Sequence, residues 1–392
     1  MSNLDSTRQG ILKTQQTLKM ARSAHAYVRG STIKFYEWLD AQRRGTLPEG
    51  PPVWICGDCH AGNLGPLADA DGKIRVQIRD LDQTVIGNPS HDLIRLALSL
   101  TTASRGSNLP GVTAAKMMEA MIAGYEEALR SEDDLRDMPK TIRLVVRQSA
   151  RRTWKHLAEE RIRNTKPTIP LGKKFLSISD LERKRIKKLF ATIPLQHLIT
   201  TLKSRKDDCR LKVADAAYWV KGCSSLGLLR YAVLVKVGSG RSAEYALMDI
   251  KEAVTASAPR YKKVRMPKSN GDRVVEGARN LSPNLGERMV SGSIGKRSVF
   301  IRELLPQDLK FDLDSMAQDE AEDVAKYLAT VVGKAHGRQM DGAERKQWLR
   351  TLAASKSKSL DAPSWLWSSV VSLVASHEAA YLEHCRRFAL AA

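Results

Sequence analysis

Long apolar runs, low-complexity tracts and paired cysteines are all missing from this chain of 392 residues. No stretch of 18 apolar residues occurs, so the sequence predicts no membrane-spanning helix. The first ten residues, MSNLDSTRQG, lack the apolar region of a signal peptide, and we therefore expect a cytoplasmic protein. The five cysteines are an odd and scattered set, so no disulfide framework is expected.

Acidic residues are scarce relative to basic ones, with 43 Asp and Glu against 64 Lys and Arg and a net charge of +21. This balance indicates an anionic partner, such as a nucleotide, a nucleic acid, a phospholipid surface or an acidic protein. The basic excess is concentrated between Lys140 and Lys188, which could equally be the solvated helical face of a basic protein. Trp154, Phe175 and Phe190 are too few aromatic residues for base stacking there, so nucleic acid is possible but not favoured.

Hydrophobic periodicity divides the chain into helical ends and a middle region that contains strands. The composition, 42% hydrophobic and 27% charged, is that of a globular protein, and the length allows two or three lobes. Helical spacing extends over residues 1–45, over most of 112–204 and over the C-terminal part. Three strands are predicted over 215–254, a helix over 271–281 and a strand over 297–304. This pattern predicts an α+β protein with one small antiparallel sheet.

A short polar loop near the N-terminus contains the residues that indicate chemistry. The segment GDCHAGN places Asp58 and Asn63 five residues apart, between predicted strands at 53–56 and 74–82. Phosphoryl transfer requires a carboxylate that orients and deprotonates an acceptor hydroxyl, and oxygen ligands that hold Mg²⁺ against the phosphates. Kinases place a catalytic Asp and a metal-binding Asn at this spacing, so Asp58 is the candidate base and Asn63 a candidate metal ligand.

Two more carboxylates follow on the second predicted strand. The segment IRDLD contains Asp80 and Asp82, and the strand period of two places both side chains on one face. Kinases complete their metal site with an Asp that follows the catalytic loop. The sequence therefore predicts a magnesium site formed by Asn63, Asp80 and Asp82.

The wider segment, GDCHAGNLG…DADGKIRVQIRDLDQTVIGNPSHDLIRLALSL, resembles the catalytic segment of aminoglycoside and choline phosphotransferases, which are relatives of the protein kinases. The resemblance implies that Asp58 is the catalytic base and that Asn63 and Asp80 bind magnesium. It also implies structural roles for Asp92, which would brace the loop through backbone N–H groups, and for His60, a second brace.

Two cysteines flank the candidate base. Cys56 stands where those families have a histidine, whose role there is chiefly structural. Cys56 and Cys59 form a C-x-x-C motif, but no second cysteine pair exists to complete a zinc site. We interpret both cysteines as packing residues beside the loop.

A nucleotide-binding half is predicted downstream of the catalytic loop rather than upstream. Kinases use a glycine loop over the phosphates, a strand lysine and a helix glutamate paired with that lysine. Here a strand–turn–strand segment contains Gly222, Ser225 and Gly227, the next strand contains Lys251 and the next helix contains Glu276. Their order predicts a two-lobed, protein-kinase-like fold that is circularly permuted. Lys251 and Glu276 are expected within salt-bridge reach, facing the acidic loop across one cleft.

Most of the chain also resembles an uncharacterised bacterial family, domain of unknown function 2252. The matching segments include YVRGSTIKFYEWL, GDCHAGNLG and GDRVVEGARNL, and the family implies no substrate. Within YVRGS, Arg29 precedes the flexible Gly30 and has two interpretations. It could bind a phosphate or carboxylate in the cleft, or it could end a helix without any chemical role.

These residues together predict an Mg-ATP-dependent phosphotransferase that acts on an unknown hydroxyl-bearing substrate. The alternatives are a nucleotidyl (AMP) transferase on the same fold, with the nucleotide bound flipped, and a basic nucleic-acid-binding protein without catalysis. Three parts of the chain are predicted: a helical lobe with the catalytic loop at 1–204, a β-rich nucleotide-binding lobe at 205–310, and helices at 311–392 that complete the helical lobe.

Overall fold

The computed structural model describes residues 3–106, 111–131, 138–152, 168–200, 205, 210–223, 225–240, 243–309, 320–354 and 362–388. The helices in these ranges are α1 (Asn3–Met20), α2 (Ala24–Gly30), α3 (Thr32–Asp40), α4 (Pro89–Gly106), α5 (Gly111–Arg130), α6 (Lys140–Arg151), α7 (Asp180–Phe190), α8 (Ile193–Thr200), α9 (Asn270–Leu281), α10 (Pro283–Gly286), α11 (Ala321–Gly337), α12 (Gly342–Ala354) and α13 (Ser364–Phe388). The strands are β1 (Val53–Ile55), β2 (Leu64–Ala68), β3 (Ile74–Ile78), β4 (Val85–Gly87), β5 (Phe175–Leu176), β6 (Leu211–Trp219), β7 (Arg230–Val237), β8 (Glu244–Glu252), β9 (Met289–Ile294) and β10 (Arg297–Glu303). This mixture confirms the predicted α+β class.

The strands of the described residues form antiparallel sheets. β5 to β10 make a six-stranded sheet in the order β5-β6-β7-β8-β10-β9, while β1 pairs with β4 and β2 pairs with β3. The four central strands were predicted from their apolar text. The edge strands β5 and β9 were not, because β5 has two residues and β9 is half-exposed and contains serine and glycine.

Helices α7 and α8 cover one face of the six-stranded sheet. Leu189 of α7 packs in the same apolar cluster as Val233 of β7, and Leu12 of α1 joins this cluster. The sequence placed residues 175–200 inside the first predicted part, 1–204. In the structure these residues pack on the sheet, because their apolar side chains cover the outer face of its strands.

A larger helical core carries the two small sheets. α5 and α11 lie side by side, and a Cβ on Gly333 would be only 2.8 Å from the Cβ of Ala128. Glycine at that position therefore permits the close approach of the two helices. Leu93 of α4, Tyr125 of α5 and Trp348 of α12 are buried in the same cluster. This core is the platform on which α4 presents its first turns to the loop between β1 and β2.

The second predicted strand, 74–82, ends earlier than its alternating pattern indicates. The last residue pair of the β2–β3 sheet is Leu64 with Ile78. The segment directly before β2 forms a 3₁₀ turn at Ala61–Asn63. No strand therefore remains to pair with the residues after Ile78. Asp80 and Asp82 consequently lie in a turn and not on one face of a strand.

The basic segment Lys140–Lys188 does not form one continuous surface in the described residues. α6 packs against β2 and β3, whereas α7 packs against β6 and β9. Residues 153–167 lie outside the described part of the chain. The positive charge of the two described helices is thus distributed over different sides of the molecule.

Candidate active site

Helix α4 holds the polar loop through the carboxylate in its first turn. Asp92 is fully buried, and its Oδ2 accepts a hydrogen bond from the backbone N–H of Cys56 at 2.7 Å while its Oδ1 accepts one from Gly57 at 2.9 Å. Nε2 of His336, on α11, lies 3.1 Å from the same Oδ2. These contacts are those of the brace that the sequence predicts for Asp92.

Two further side chains of α4 hold the rest of the loop, and neither is among the residues predicted from the sequence. Arg95, fully buried, donates from Nε to Asp58 Oδ1 at 2.9 Å. Ser99 Oγ accepts from the backbone N–H of Ala61 at 3.1 Å. Asp92, Arg95 and Ser99 follow the i, i+3, i+7 spacing of one helix face. That row of polar residues within the otherwise apolar stretch 92–100 is the signal that would have identified them.

The carboxylate of Asp58 is buried and held from two sides. Besides the contact with Arg95, its Oδ2 accepts from Thr32 Oγ1 at 2.9 Å. Burial raises the pKa of Asp58, and the charge and hydrogen bond of Arg95, together with the hydrogen bond of Thr32, only partly oppose that rise. Asp58 is therefore an oriented carboxylate with a higher proton affinity than a free aspartate.

Asn63 is oriented by the same loop. Its Nδ2 donates to the backbone carbonyl of Asp58 at 3.0 Å, which leaves Oδ1 as the atom that can face a cation. The backbone N–H of Asn63 donates to the carbonyl of His60 at 2.8 Å, closing the 3₁₀ turn. His60 is buried at the start of this turn.

The turn that contains Asp80 and Asp82 packs directly on the catalytic loop. Gly57 has φ +75°, and a Cβ there would collide with the backbone of Gln83. The backbone N–H of Arg79 donates to Asn63 O at 2.7 Å. Only glycine meets both the conformation and the close approach at position 57. The two loops therefore form one unit.

Lys251 connects the six-stranded sheet to this acidic turn. It is buried near the end of β8, and its Nζ lies 3.0 Å from Asp80 Oδ1 and 2.6 Å from Asp82 Oδ2. The lysine is 171 and 169 residues away from these carboxylates along the chain. Arg273 of α9 donates from Nη2 to the carbonyl of Asp82 at 3.0 Å. Sheet, helix and acidic turn are thus joined at one point.

The pKa values of Asp80 and Asp82 shift in opposite directions. The groups around Asp80 partly desolvate its half-exposed side chain, which would raise its pKa, but the charge of Lys251 and the hydrogen bond with Asp82 lower that pKa well below its usual range. Burial and the adjacent charge of Asp80 raise the pKa of Asp82. Asp80 therefore remains ionised, and its side chain is 45% exposed. Asp82 binds a proton more readily than Asp80 does.

Three oxygen-bearing side chains around this turn suit a hard cation. Asp82 Oδ1 is buried and has no hydrogen-bond partner among the described residues. A buried polar atom without a partner is unfavourable, and a bound cation would provide the missing partner. Asn63, Asp80 and Asp82 supply the oxygen ligands that Mg²⁺ prefers. No group of three or more His, Cys, Asp or Glu that could hold a metal occurs in the described ranges, and this candidate set includes only two such residues.

The predicted catalytic half and the predicted nucleotide-binding half border one cavity of about 520 Å³. Its walls include four residues of the acidic side and three of the turn between β6 and β7, namely Asp58, Asn63, Asp80, Asp82, Ser225, Leu226 and Leu228. Gly222 and Gly227 bend this turn with φ of +103° and +106°. Ser225 is the member of the predicted glycine loop that lines the cavity. The catalytic loop and the glycine turn therefore border one space.

The predicted ion pair between Lys251 and Glu276 does not form, so this prediction is wrong. Lys251 contacts the acidic turn, while Glu276 lies 3.8 Å from Arg279 on its own helix and its side chain is 45% exposed. The face of α9 that meets the turn contains Arg273 and Gly277, where a Cβ on Gly277 would collide with Thr84. Glu276 is half-exposed and its carboxylate lies beside Arg279, and it forms no ion pair with Lys251, whose partners are Asp80 and Asp82. Its placement gives no support to a nucleotide contact.

This α+β chain, whose acidic turn and glycine turn border one cavity and whose Lys251 is buried against the acidic turn, belongs by its sequence to the family of uncharacterized proteins conserved in bacteria called DUF2252. The family model matches residues 12–387. No curated protein and no solved structure matches the chain. Among the described residues, no helix has both the length and the apolar character needed to cross a membrane.

Proposed function

We propose that this protein is an Mg-ATP-dependent phosphotransferase that acts on a hydroxyl group. The observation that carries the proposal is the cavity bordered by Asp58, Asn63, Asp80 and the glycine turn, with Lys251 on the acidic residues. Phosphoryl transfer depends on positioning and on electrostatic stabilisation, which are the properties of this set.

The proposal includes a kinase-like, two-lobed arrangement in permuted order, which the order of the elements along the chain supports. The lysine strand β8 lies in the middle of the sheet, the helix α9 follows it, and β9 and β10 complete the sheet after that helix. The catalytic loop and its helix α4 precede this unit in the chain. The nucleotide-binding lobe in this proposal is the six-stranded sheet, and the helical core is the catalytic lobe.

Asp58 is the proposed general base. It accepts the proton of the acceptor hydroxyl while the new oxygen–phosphorus bond forms and the bond to the departing ADP oxygen breaks. A carboxylate has about four lone-pair sites, so the hydrogen bonds from Arg95 and Thr32 leave room for the acceptor hydroxyl. The raised pKa of Asp58, caused by burial, increases its strength as a base at neutral pH.

Asn63, Asp80 and Asp82 are the proposed ligands of magnesium, which supplies charge neutralisation for the donor phosphates when bound. Lys251 contacts Asp80 and Asp82 and is the lysine proposed to contact those phosphates. Its buried position between the sheet and the acidic turn gives it the role of the kinase strand lysine.

The nucleobase is proposed to lie on the apolar wall of the cavity. On the sheet face beside Lys251, Asp249 is buried in ion pairs with Arg230 at 2.5 Å and Arg302 at 3.5 Å. A base there would have to displace buried charges that are paired with one another. Apolar side chains line the cavity on another side, at Leu226, Leu228 and Val254.

Incubating the protein with a bacterial metabolite extract and ATP labelled at the γ or the α phosphate tests the proposal. We expect the γ label to move to a product that mass spectrometry identifies by its added phosphate. Asp58→Asn should lower transfer at least about 100-fold, since general-base catalysis contributes on that scale, while the affinity for Mg-ATP changes less than about twofold. Asp80→Asn should weaken Mg-ATP binding itself.

Asp40→Asn is the matched control, because Asp40 is exposed at the end of α3. It should behave as the natural protein does in both assays. Transfer of the α label, with release of pyrophosphate, would assign the site to AMP transfer instead. Absence of any transfer together with absence of Mg-ATP binding would reject both activities.

A further inference from the structure

Four cations from the N-terminal helices lie near the glycine turn without a carboxylate partner. Lys13, Lys19, Arg22 and Arg29 form no ion pair with any described residue. Lys13 lines the cavity, and Lys19 Nζ donates to the carbonyl of Gly222 at 3.0 Å. This side of the cavity therefore has surplus positive charge.

Arg29 is the cation closest to the catalytic loop. A Cβ on Gly62 would lie 3.1 Å from its Cζ and 3.2 Å from its Nε, so the guanidinium rests against the backbone beside Asn63. Nε is buried and has no hydrogen-bond partner among the described residues. The residue as a whole is only partly buried, and neither of its terminal nitrogens forms a hydrogen bond with a described residue. A buried donor without a partner indicates a missing acceptor.

The glycine turn borders Arg29 on its other side. Gly30 packs so closely on this turn that a Cβ there would be 2.8 Å from Cys223 Sγ. Burial raises the pKa of the Cys223 thiol, and the charges of Lys19, Arg29 and Arg22 oppose that rise. Arg29 is therefore placed between the catalytic loop and the glycine turn, where the phosphate groups of a reaction would meet.

Each carboxylate of the site already contacts a cation other than Arg29. Arg95 pairs with Asp58 at 2.9 Å, and Lys251 pairs with Asp80 at 3.0 Å. Arg29 is consequently not needed to balance the protein's own charge. A guanidinium supplies parallel donors that match a phosphate, and several nearby cations suit a dianion better than a singly charged carboxylate.

We infer that Arg29, with Lys19 beside it, binds a phosphate group of the acceptor, so that the acceptor is a phosphorylated molecule with a free hydroxyl. This inference rests on the proposed phosphotransferase function. It places the phosphate of the acceptor on the α1–α2 side of the cavity and its hydroxyl at Asp58. The surplus positive charge on this side then selects the substrate.

Titration of inorganic phosphate into protein saturated with magnesium and a non-hydrolysable ATP analogue tests the inference. Phosphate should bind the natural protein while the donor site is filled. Arg29→Ala should weaken phosphate binding at least tenfold, Arg29→Lys should restore part of the affinity, and the exposed Arg44→Ala should change nothing. Thermal melts of all variants establish that they are folded.

Each other result has a separate meaning. Equal phosphate affinity in Arg29→Ala overturns the inference, as does acetate binding as tightly as phosphate. Loss of affinity for the ATP analogue in Arg29→Ala, with phosphate competing against the analogue, assigns Arg29 to the donor and overturns it as well. Failure of the natural protein to bind the analogue rejects the proposed function, and phosphate titration without nucleotide then still decides whether Arg29 binds an anion.

Discussion

At the residue scale, Lys251 sits between two carboxylates that a magnesium ion is proposed to share. Its Nζ is within 3.0 Å of both Asp80 and Asp82, which are also the proposed metal ligands. The lysine therefore balances the acidic pair when no cation is bound. In the nucleotide-free protein, a lysine in this position competes with magnesium for the two carboxylates. Once Mg-ATP is bound, the same lysine contributes to nucleotide binding through the phosphates.

Lys251→Met separates these two effects. Removing the competing charge should increase the affinity for Mg²⁺ alone about tenfold, since unit charges about 4 Å apart interact by roughly 1–4 kcal/mol in wet protein surroundings. The affinity for Mg-ATP should fall, because a phosphate contact is lost. Isothermal titration with MgCl₂ and with Mg-ATP measures both quantities.

Lys236→Met, on the neighbouring strand β7, serves as the control and should leave both affinities unchanged. Weaker Mg²⁺ binding in Lys251→Met would contradict this account. It would indicate that the lysine holds the carboxylates in place rather than competing with the ion.

At the scale of elements, helix α4 contributes most to the shape of the catalytic loop. Successive turns of one helix face contact the loop at Cys56, Gly57, Asp58 and Ala61. The regular geometry of the helix fixes the spacing of these contacts, and the contacts in turn fix the positions of the loop residues. This arrangement explains how a glycine-containing loop can hold the carboxylate of Asp58 in one orientation.

Two buried serines of α4 provide a matched test. Ser99→Ala should destabilise the protein by about 1–3 kcal/mol, because the buried N–H of Ala61 loses its acceptor. Ser104→Ala should cost about 1 kcal/mol or less, because Ser104 Oγ donates only to Thr101 O of the same helix, at 2.9 Å. Chemical denaturation compares the two.

The same pair of variants separates loop geometry from general stability. Ser99→Ala should also lower the transfer rate of the folded protein, while Ser104→Ala should not. Equal effects of the two substitutions on stability and on rate would show that the loop does not depend on its contact with α4.

At the scale of the whole molecule, α1 connects the sheet to the helical core across the cavity. Arg8 pairs with Glu182 of α7 at 2.8 Å, while the carbonyl of Thr17 lies 2.9 Å from Nε2 of His384 on α13. Between these ends, Lys13 and Gln16 line the cavity. Helix α1 therefore closes one side of the cavity and couples the parts of the molecule that border it.

The anchoring of α1 predicts a dependence of stability on pH. Burial would raise the pKa of Glu182, but the hydrogen bonds of Arg8 and Tyr231 and of the backbone N–H of Ser179 lower it to about 2. A carboxylate whose pKa is depressed in the folded state stabilises the protein at pH values above its pKa in the unfolded state. This contribution is lost as the pH falls towards the pKa of the folded state. Glu182→Gln should therefore destabilise the protein by about 2 kcal/mol at neutral pH.

This difference should shrink as the pH falls from about 4.3, the unfolded value, towards the folded value. Denaturant unfolding over a pH series measures it for the natural protein and for Glu182→Gln. The exposed Glu287→Gln is the control and should show no such dependence. A destabilisation by Glu182→Gln that stays constant with pH would refute the role assigned to the ion pair.

The sequence by itself determined the features that depend on near neighbours in the chain. Asp58 and Asn63 are joined by one turn, so their spacing alone places them together. Asp92 starts a helix, and its contact with the loop could be anticipated from that position. The α+β class likewise follows from hydrophobic periodicity, which is a local property of the chain.

Only the tertiary structure decided which distant side chains meet. Glu276 was assigned to Lys251 from the order of elements, but the rotation of α9 on the sheet brings Arg273 to the acidic turn instead. That rotation depends on the packing of Gly277 against Thr84, which no spacing in the sequence specifies. The pairing of Arg95 with Asp58 likewise depends on packing, although the polar row on α4 already marks Arg95 as a candidate. The order of elements limits which residues can meet, whereas the packing of side chains selects those that do.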